Sequence, residues 1–420
     1  MIKAVTGTRD ILPNDIPKWN YLLSIIESVF TEFNYKEIRT PIFEETSLFA
    51  RGIGEATDIV SKEMYTFIDR SGDSITLRPE MTAGVVRAFI ENSMDKKQNL
   101  NKLFYAGPMF RQERPQAGRF RQFHQFGAEA LGSNDPLLDA EMIIMAYDIF
   151  NRLGLKKLIV KINSLGIPES RENYKKVLRQ YVEPHLNKLS SESRKRFDTN
   201  IMRIFDSKEG NDQKIMENAP LLIEFLDDES LEHFEKVKQT LLTAKIPFEV
   251  DTKLVRGLDY YTHTTFEIVS GSVGSQSALC GGGRYNMLVK ELGGNEIPGV
   301  GFAEGIERIL LACENEKSFF LDDEKIDLFI VTIEKGLEKF AYQSAVDFRR
   351  KGLIVDLDYL NRSVKAQMRE ANRLNAKYVL FIGGEEFSKG EIVLKNMSSS
   401  EQKNFSKNDL DKIYMSIKEK

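Results

Sequence analysis

The residues best suited to chemistry lie in one stretch, 110–129, where arginines, carboxylates and an aromatic ring stand between two apolar arms. Pro115 and Gly118 mark its tip, so the pattern predicts two strands joined by a loop too long for a tight hairpin. Side chains alternate faces along a strand. The polar and aromatic side chains therefore share one face of each arm: Arg111 and Glu113 on the first, and Arg121, Phe123, Gln125 and Glu129 on the second.

If the two faces coincide, they form a floor that suits a nucleoside triphosphate. Arginine presents a planar fork of donors to phosphate or carboxylate oxygens, and Phe123 offers a surface on which a base can stack. The alternative is a surface hairpin with a solvated ladder of ion pairs, the commoner meaning of mixed charges on strands. Four arginines in eleven residues favour the binding site.

A second candidate site lies where a helix is predicted to begin at Pro79, after a hairpin predicted over 64–78. Glu80 falls in the first helical turn, where the helix dipole favours a carboxylate. Taken by itself, Glu80 is best interpreted as a helix cap, and a ligand contact is the alternative.

Two later segments, 254–261 and 278–285, combine polar and aromatic side chains with glycine. In the first, Arg256 and two tyrosines lie where a strand turns and could present polar groups to a pocket. In the second, three consecutive glycines allow close approach of a ligand or a tight bend. A plain turn is the favoured interpretation of those glycines in isolation. His263 is interpreted as a packed or exposed residue, not as a base.

The last motif, 299–308, passes from a predicted strand into a predicted helix. Its glycines let strand and helix pack closely, and Arg308 emerges at the helix start, where it can reach a phosphate. The motif is not a Rossmann fingerprint, because no βαβ unit with a ribose-binding acid follows it.

Hydrophobic periodicity divides the chain into two predicted domains, 1–325 and 326–420. The first begins with a helix and a strand at 38–43, whose proline argues for a sheet edge or a subunit boundary. Residues 168–245 are charged, poor in glycine and helical in period, which predicts a helical insertion that contacts a large partner or serves only as a scaffold. The second domain alternates strands with helices, as small α/β domains do.

Composition limits the classes of protein that this chain can belong to. Its 420 residues suffice for two or three domains. The net charge of −4 predicts no strong non-specific attraction to nucleic acid, and DNA is not an expected partner. Residues 326–420 nevertheless carry +3 against −7 for the rest, a mild bias that fits a domain touching RNA.

Two further features of the composition bear on metals and on location. Cys280 and Cys313 have no metal-ligand spacing, so neither a disulfide framework nor a zinc site is expected. No apolar stretch approaches the roughly 20 residues of a membrane span. We therefore predict a cytoplasmic protein with no membrane partner.

Together these motifs resemble the class II aminoacyl-tRNA synthetases and, more closely, the histidyl-tRNA synthetase family. Pro41, 110–123 and 299–308 match the three class motifs, and 254–261 and 278–285 match two segments peculiar to the histidine enzymes. The resemblance covers the whole chain. It implies an α+β catalytic domain with a central antiparallel sheet, a helical insertion, and a C-terminal α/β anticodon-binding domain.

The resemblance also implies a reaction. ATP and L-histidine form histidyl-adenylate and pyrophosphate, and the histidyl group then moves to the 3′ end of tRNA(His). Mg²⁺ is expected to bind mainly through the ATP phosphates, with no metal site made by protein alone, and the chain is expected to form a homodimer around Pro41. Asn286 and Met81 stand where Asp and Gly are commoner in the family, and neither is an expected catalytic residue.

Site residues are carried over from the family position by position. Arg256 and Arg111 are the expected catalytic residues, because both stabilise charge at the α-phosphate. The histidine-binding residues are Glu80, Thr82, Arg111, Gln125, Glu129, Arg256, Tyr260, Tyr261 and Tyr285. The ATP-binding residues are Arg111, Glu113, Arg119, Phe123 and Arg308. Arg114 and Gln116 face outward and are expected to contact the tRNA.

Three alternatives stand beside this interpretation. One is a synthetase-like subunit that regulates ATP phosphoribosyltransferase, but that class lacks the anticodon domain and has lost arginines that this chain keeps. Another is a class II enzyme for glycine, threonine or proline, against which the two histidine-type segments argue. The third is an inactive sensor of uncharged tRNA, which the intact ATP residues disfavour.

Overall fold

The chain forms two compact units, Met1–Phe319 and Phe320–Lys420. The computed structural model describes residues 2–54, 57, 59–116, 118–255, 260–272, 278–318 and 325–418. Over these ranges, no helix is both long enough and apolar enough to span a membrane.

The first unit is built on a large sheet with an antiparallel centre. The strands of the first unit are β1 (Lys36–Glu37), β2 (Phe43–Glu45), β3 (Tyr65–Ile68), β4 (Ser74–Leu77), β5 (Asn101–Phe110), β6 (Gln122–Leu131), β7 (Leu158–Ser164), β8 (Phe248–Val250), β9 (Thr262–Ser270), β10 (Ala278–Arg284) and β11 (Gly299–Gly305). Among the described residues, the large sheet has the order β1-β5-β6-β11-β10-β9-β7-β8 and a small sheet has the order β2-β4-β3. From β5 to β7 neighbours are antiparallel, while β1 and β8 pair in parallel at the edges. The predicted α+β class with a central antiparallel sheet is confirmed.

Helices pack against this sheet, and four of them cover one of its faces. The helices of the first unit are α1 (Ile16–Glu32), α2 (Thr46–Ile53), α3 (Thr82–Glu91), α4 (Pro136–Arg152), α5 (Pro168–Val182), α6 (Ser191–Thr199), α7 (Gly210–Met216), α8 (Asp228–Thr243), α9 (Leu288–Glu291) and α10 (Ile306–Glu316). In α1, Leu22, Ile26 and Val29 are buried at helical spacing. They join side chains of α4, α8, α10 and the central strands in one apolar core.

The predicted helical insertion is helical, forming α5 to α8 with short 3₁₀ segments between them. Tyr174 and Leu178 of α5 belong to a second apolar cluster that also contains Tyr260, Tyr261 and Tyr285. The last helix, α8, instead packs into the main core beside α4. This segment therefore supports both the main sheet and the tyrosines of the later motifs.

The strand predicted at 38–43 is wrong over most of its length. Only its last residue enters a strand, β2, and Thr40 and Pro41 lie outside the sheets. The reason is a side chain, since Arg78 donates to the carbonyl oxygens of Thr40 and Pro41 at 2.9 and 3.2 Å. These backbone acceptors are satisfied without a strand partner.

The plain turn favoured for the glycines at 281–283 is also wrong, because all three lie in β10 in the middle of the sheet. A Cβ on Gly282 would lie 2.4 Å from the Gly301 carbonyl oxygen and 2.7 Å from the Phe266 ring. The glycines therefore allow the close packing of neighbouring strands and side chains.

The second unit is a small α/β domain, as predicted. Its described elements are β12 (Leu328–Thr332), α11 (Glu338–Arg350), β13 (Val355–Leu357), α12 (Val364–Arg373), β14 (Tyr378–Ile382), α13 (Gly384–Ser388), β15 (Glu391–Asn396), β16 (Gln402–Ser406) and α14 (Leu410–Lys418). The sheet order is β13-β12-β14-β15-β16, in which β12 pairs in parallel with β13 and β14 and the last two pairs are antiparallel. The strands β15 and β16 were not predicted.

Glu304 on β11 is buried in the main core, 1% exposed, and its carboxylate oxygens accept no hydrogen bond within the described residues. Burial raises its pKa well above the usual range, with the neighbouring Cys280 thiol opposing the shift. We expect Glu304→Leu to stabilise the unit by about 2 kcal/mol, roughly 4 °C in Tm, because a buried carboxyl group without an N–H or O–H donor is costly. In thermal unfolding, the rise in Tm of Glu304→Leu over wild type should be larger at pH 8 than at pH 5, because burial of the carboxyl group is most costly when the group is ionised. An unchanged or lower Tm at both values would contradict this.

Candidate active site

A cavity of about 480 Å³ opens on the face of the sheet opposite α1, α4, α8 and α10. The following predicted site residues line it: Glu80, Thr82, Arg111, Glu113, Arg119, Phe123, Gln125, Glu129, Tyr260, Tyr261, Tyr285 and Arg308. Phe123, Gln125 and Glu129 lie on β6, and the others lie in loops or at helix starts beside the central strands. The floor predicted for the hairpin at 110–129 is therefore part of a larger pocket, of the size usual for small-molecule sites.

One part of the cavity is rich in arginine. Arg111 lies 3.6 Å from one oxygen of Glu113, and Arg119 lies 3.0 Å from the other. Arg308 at the start of α10 donates to the carbonyl oxygen of Ala278 at 2.6 Å. Burial and then the neighbouring Arg119 lower the pKa of Arg308. Guanidinium groups gathered in this way attract a multiply charged anion, which would relieve their mutual repulsion.

Phe123 lies beside this cluster on β6, where the Arg111 guanidinium carbon is 5.3 Å from the centre of the ring. A cation so placed over an aromatic face is attracted to it. Arg111 also donates from Nε to the carbonyl oxygen of Pro79 at 2.8 Å. The guanidinium is thus held on two sides, and its position is fixed before any ligand arrives.

The other part of the cavity contains the fully buried carboxylate of Glu129. Three hydroxyl groups donate to it: Thr82 at 2.7 Å, Tyr105 at 3.1 Å, and Tyr285 at a short distance. Burial raises the pKa of Glu129 to about 8, although these three donors pull it in the opposite direction. An oriented carboxyl group in a dry pocket suits a ligand with N–H groups of its own.

A glycine makes the contact between Glu129 and Tyr285 possible. Their strands β6 and β10 are separated by β11, and Gly301 of β11 lies opposite Glu129. A Cβ at Gly301 would lie 1.7 Å from the Glu129 Oε2 atom. The missing side chain therefore leaves room for the carboxylate to reach across β11.

Glu80 is both a cap and a pocket residue. Its oxygens accept from the backbone N–H groups of Thr82 and Ala83 at 2.7 and 2.9 Å, at the start of α3. Burial raises the pKa of this carboxyl, opposed by those backbone donors and by Arg111. The interpretation of Glu80 as a cap is therefore correct, and the side chain also lines the cavity.

Gln125 is buried near the same carboxyl groups. Its Oε1 atom has no hydrogen-bond partner within the described parts of the chain. An orphaned buried amide oxygen is costly. A ligand that places an N–H donor in the cavity beside Gln125 would satisfy it.

Two described site residues from the prediction are not part of the cavity wall. The predicted catalytic residue Arg256 lies outside the described residues. Arg114 and Gln116 are exposed on the loop between β5 and β6 and do not line the cavity, which agrees with their predicted outward orientation.

Tyr105 is one residue of this site that the sequence analysis missed. It stands in the apolar strand β5, fully buried, and donates to Glu129 from behind the cavity wall. Alternation on paired strands is the signal that could have found it, because Tyr105 lies on the same face as Leu103, the residue opposite Glu129. A Cβ on Gly127 would lie 2.6 Å from the Tyr105 oxygen, so that glycine also makes room.

No group of three or more His, Cys, Asp and Glu side chains that could hold a metal ion occurs in the described ranges. The chemistry of the cavity, as the described residues present it, is therefore that of an anion site joined to a buried carboxyl pocket.

This antiparallel sheet, with the β5–β6 hairpin and the cavity on its face, is the catalytic fold of a class II aminoacyl-tRNA synthetase. A family model described as histidyl-tRNA synthetase matches residues 7–309, and one described as anticodon binding domain matches residues 327–416. The chain belongs to the histidyl-tRNA synthetase family.

Individual relatives agree along the whole chain. The histidine–tRNA ligase of Desulforamulus reducens is 49% identical over 404 residues, 96% of each chain. That of Geobacillus sp. (strain WCH70) is 50% identical over 399 residues, 94% of each chain. The apo histidyl-tRNA synthetase of S. aureus superposes with a TM-score of 0.83 at 42% identity, covering 99% of this chain and 100% of that chain.

Proposed function

We propose that this chain is a histidine–tRNA ligase. It activates L-histidine with ATP to histidyl-adenylate and pyrophosphate, and then transfers the histidyl group to the 3′ end of tRNA(His) with release of AMP. The observation that carries the proposal is the arrangement of one cavity, in which an arginine cluster adjoins the buried carboxyl group of Glu129 and its three hydroxyl donors.

The carboxyl part of the cavity selects the amino acid. Glu129 and Tyr261 contact the two nitrogens of the imidazole ring, with Tyr260 and Tyr285 forming the walls around it. Support comes from the burial of Glu129 and Tyr261 and from the tilted packing of the tyrosine rings at 4.7 Å. A site of buried polar groups rejects amino acids that leave those groups unpaired by roughly 10⁴-fold or more.

The α-ammonium group of histidine is bound by the polar residues at the start of α3. Glu80 and Thr82 receive it, and Gln125 assists with its otherwise unpaired oxygen. Thr82 also donates to Glu129, so the ammonium and imidazole subsites share a residue. This sharing fixes the distance between the two ends of an acceptable substrate.

The arginine cluster binds ATP and the reacting carboxylate. Arg111 holds the histidine carboxylate and the α-phosphate, Arg119 and Arg308 bind the γ-phosphate, Phe123 stacks on adenine and Glu113 contacts the base. Arg256 neutralises the α-phosphate from the other side, an assignment that rests on the family resemblance. Attack of a carboxylate on the α-phosphorus needs alignment and charge stabilisation more than a general base.

Mg²⁺ is proposed as a companion of ATP, bound mainly through phosphate oxygens. The residues present fit a minor protein contribution, since the Glu113 carboxylate lines the cavity beside the arginines and no metal-holding cluster occurs among the described residues. The ion supplies charge neutralisation at the phosphates when it is bound.

The macromolecular partners follow from the family. Arg114 and Gln116 on the exposed loop contact the acceptor end of tRNA(His), mainly through its phosphates, and the second unit holds the anticodon. A homodimer forms around the first class motif, where Ile42 and Phe43 are 44% and 56% exposed on the single chain. The enzyme acts where tRNA is charged, in the cytoplasm.

Charging of tRNA is the direct test of the whole reaction. Purified protein with ATP, Mg²⁺ and labelled histidine should charge tRNA(His) transcript and leave tRNA(Gly) and tRNA(Thr) transcripts uncharged. Folded protein that forms histidyl-adenylate but charges no tRNA would contradict the second step. Protein that binds tRNA and forms no adenylate would instead support the sensor alternative.

A further inference from the structure

A buried arginine lies directly behind the histidine pocket, on the face of the sheet that the helices cover. Arg284 is the last residue of β10 and precedes the pocket residue Tyr285. Its side chain is fully buried. Because neighbouring residues of a strand point to opposite faces, Arg284 points away from the cavity that Tyr285 lines.

Apart from the side-chain oxygen of Asn286, 3.4 Å away, the acceptors of Arg284 lie in the segment after β6. The guanidinium forms a bidentate contact with Asp139, in which Nε lies 3.1 and 3.0 Å from the two carboxylate oxygens. It also donates to the carbonyl oxygens of Ser133 at 2.9 Å and Asp135 at 3.3 Å. Residues 133–139 directly follow β6, the strand that carries Glu129.

Two connections therefore cross β11, one on each face of the sheet. On the pocket side, the Tyr285 hydroxyl reaches Glu129 above Gly301. On the helix side, Arg284 joins the end of β10 to the turn that follows β6. The second connection lies behind the first and joins the ends of the same two strands, each of which pairs with β11.

The helical insertion takes part through α8. His233 of α8 lies 3.2 Å from Asp139, and its ring stacks on that of His263 of β9 at 5.0 Å. Asp139 thus has contacts from α8 and β10 at once. These contacts fix the carboxylate in one orientation.

Stability alone is a weak explanation for such a group. A buried ion pair gains little over well-packed apolar residues, because desolvation offsets the attraction. A bidentate pair with additional carbonyl acceptors instead fixes the relative positions of the groups that it joins.

We infer that Arg284, held by Asp139, is a positioning residue for histidine selection: it keeps Tyr285 at hydrogen-bonding distance from Glu129. The inference rests on the proposed function and adds to it a determinant that does not touch the substrate. A small displacement of a selecting group can lower turnover by roughly 10²-fold, so loosening this connection should weaken histidine binding and leave ATP binding intact.

The experiment measures KM for histidine and for ATP by pyrophosphate exchange in Asp139→Asn and Arg284→Lys. Both should raise the histidine KM by roughly 10-fold, with the ATP KM within about 2-fold of wild type. The matched control is Asp212→Asn in the insertion, where a buried aspartate accepts three serine hydroxyls and does not itself line the cavity. That control should lower Tm and leave both KM values unchanged.

A double-mutant cycle separates positioning from general damage. If Asp139 acts through Tyr285, Asp139→Asn should add little to the histidine KM of Tyr285→Phe. If Asp139→Asn or Arg284→Lys fails to fold, His233→Gln takes its place, because it removes only one contact to Asp139. That variant should raise the histidine KM by a smaller factor of about 3. Equal rises in both KM values, additive effects in the cycle, or unchanged KM in folded variants would overturn the inference.

Wild-type protein in the same assay distinguishes a failure of the proposed function from a failure of the positioning role of Arg284. No histidine-dependent exchange in wild type refutes the proposed function and this inference with it. Normal exchange in wild type, with variants that behave like the Asp212 control, refutes this inference alone.

Discussion

Arg111→Ala is expected to lower kcat/KM for histidine-dependent pyrophosphate exchange by about 10³-fold, which corresponds to roughly 4 kcal/mol of transition-state stabilisation. Arg111 is held beside the cavity by Pro79, Glu113 and Phe123. It is therefore already placed for the carboxylate and the α-phosphate, and no other described group replaces its fork of donors.

Arg111→Lys should recover only part of that loss. Lysine keeps the charge but offers a point contact where arginine offers two parallel donors. Arg152→Ala is the matched control, because Arg152 is likewise paired with a glutamate, Glu32, but on the outer surface of α4. Exchange by the control should stay within about 2-fold of wild type. A loss in Arg111→Ala no greater than in the control would remove Arg111 from the catalytic residues.

Glu129→Gln is expected to lower kcat/KM for histidine by roughly 10³-fold while the KM for ATP changes little. The amide cannot ionise, and it places an NH₂ group against hydroxyls that now donate to the two carboxyl oxygens. Glu304→Gln is the matched control, since Glu304 is equally buried on the other side of the sheet. Equal losses in the two variants would mean that burial, not imidazole recognition, explains the effect.

Comparison of wild type with Glu129→Gln also tests the pKa of Glu129. Its pKa of about 8 lies above the ordinary value of 4.5, so the folded state binds the proton more tightly than the unfolded state does. The stability that this proton contributes is fully present below pH 4.5 and is lost as the pH rises through 8. Wild type should therefore lose up to about 5 kcal/mol relative to Glu129→Gln between pH 4.5 and pH 8. Parallel denaturation curves across that range would show that the carboxyl titrates normally.

The sequence predicted those parts of the molecule that depend on local pattern. Alternation along 110–129 placed Arg111, Phe123 and Glu129 on one floor, and helical periodicity identified the insertion. The α/β class of the second unit followed from its first three strands. These features succeed because strand and helix periods are properties of neighbouring residues.

The misses depend on distant partners. Glycines at 281–283 resemble a turn until the Gly301 and Phe266 atoms on adjacent strands are known. The extended segment at 38–43 fails as a strand because the Arg78 side chain, from another hairpin, takes its carbonyl groups. Tyr105 looks like one more apolar strand residue until Glu129 is placed diagonally from it on β6. Pattern alone does not reveal such pairings.

The most direct test of the central claim is ATP–pyrophosphate exchange with histidine compared against glycine, threonine and proline. We predict exchange with histidine and at least 10⁴-fold weaker exchange with the other three, because each leaves Glu129 and its tyrosines without an imidazole partner. Comparable exchange with another amino acid, or none with histidine from folded protein, would contradict the assignment of this cavity as a histidine-activating site.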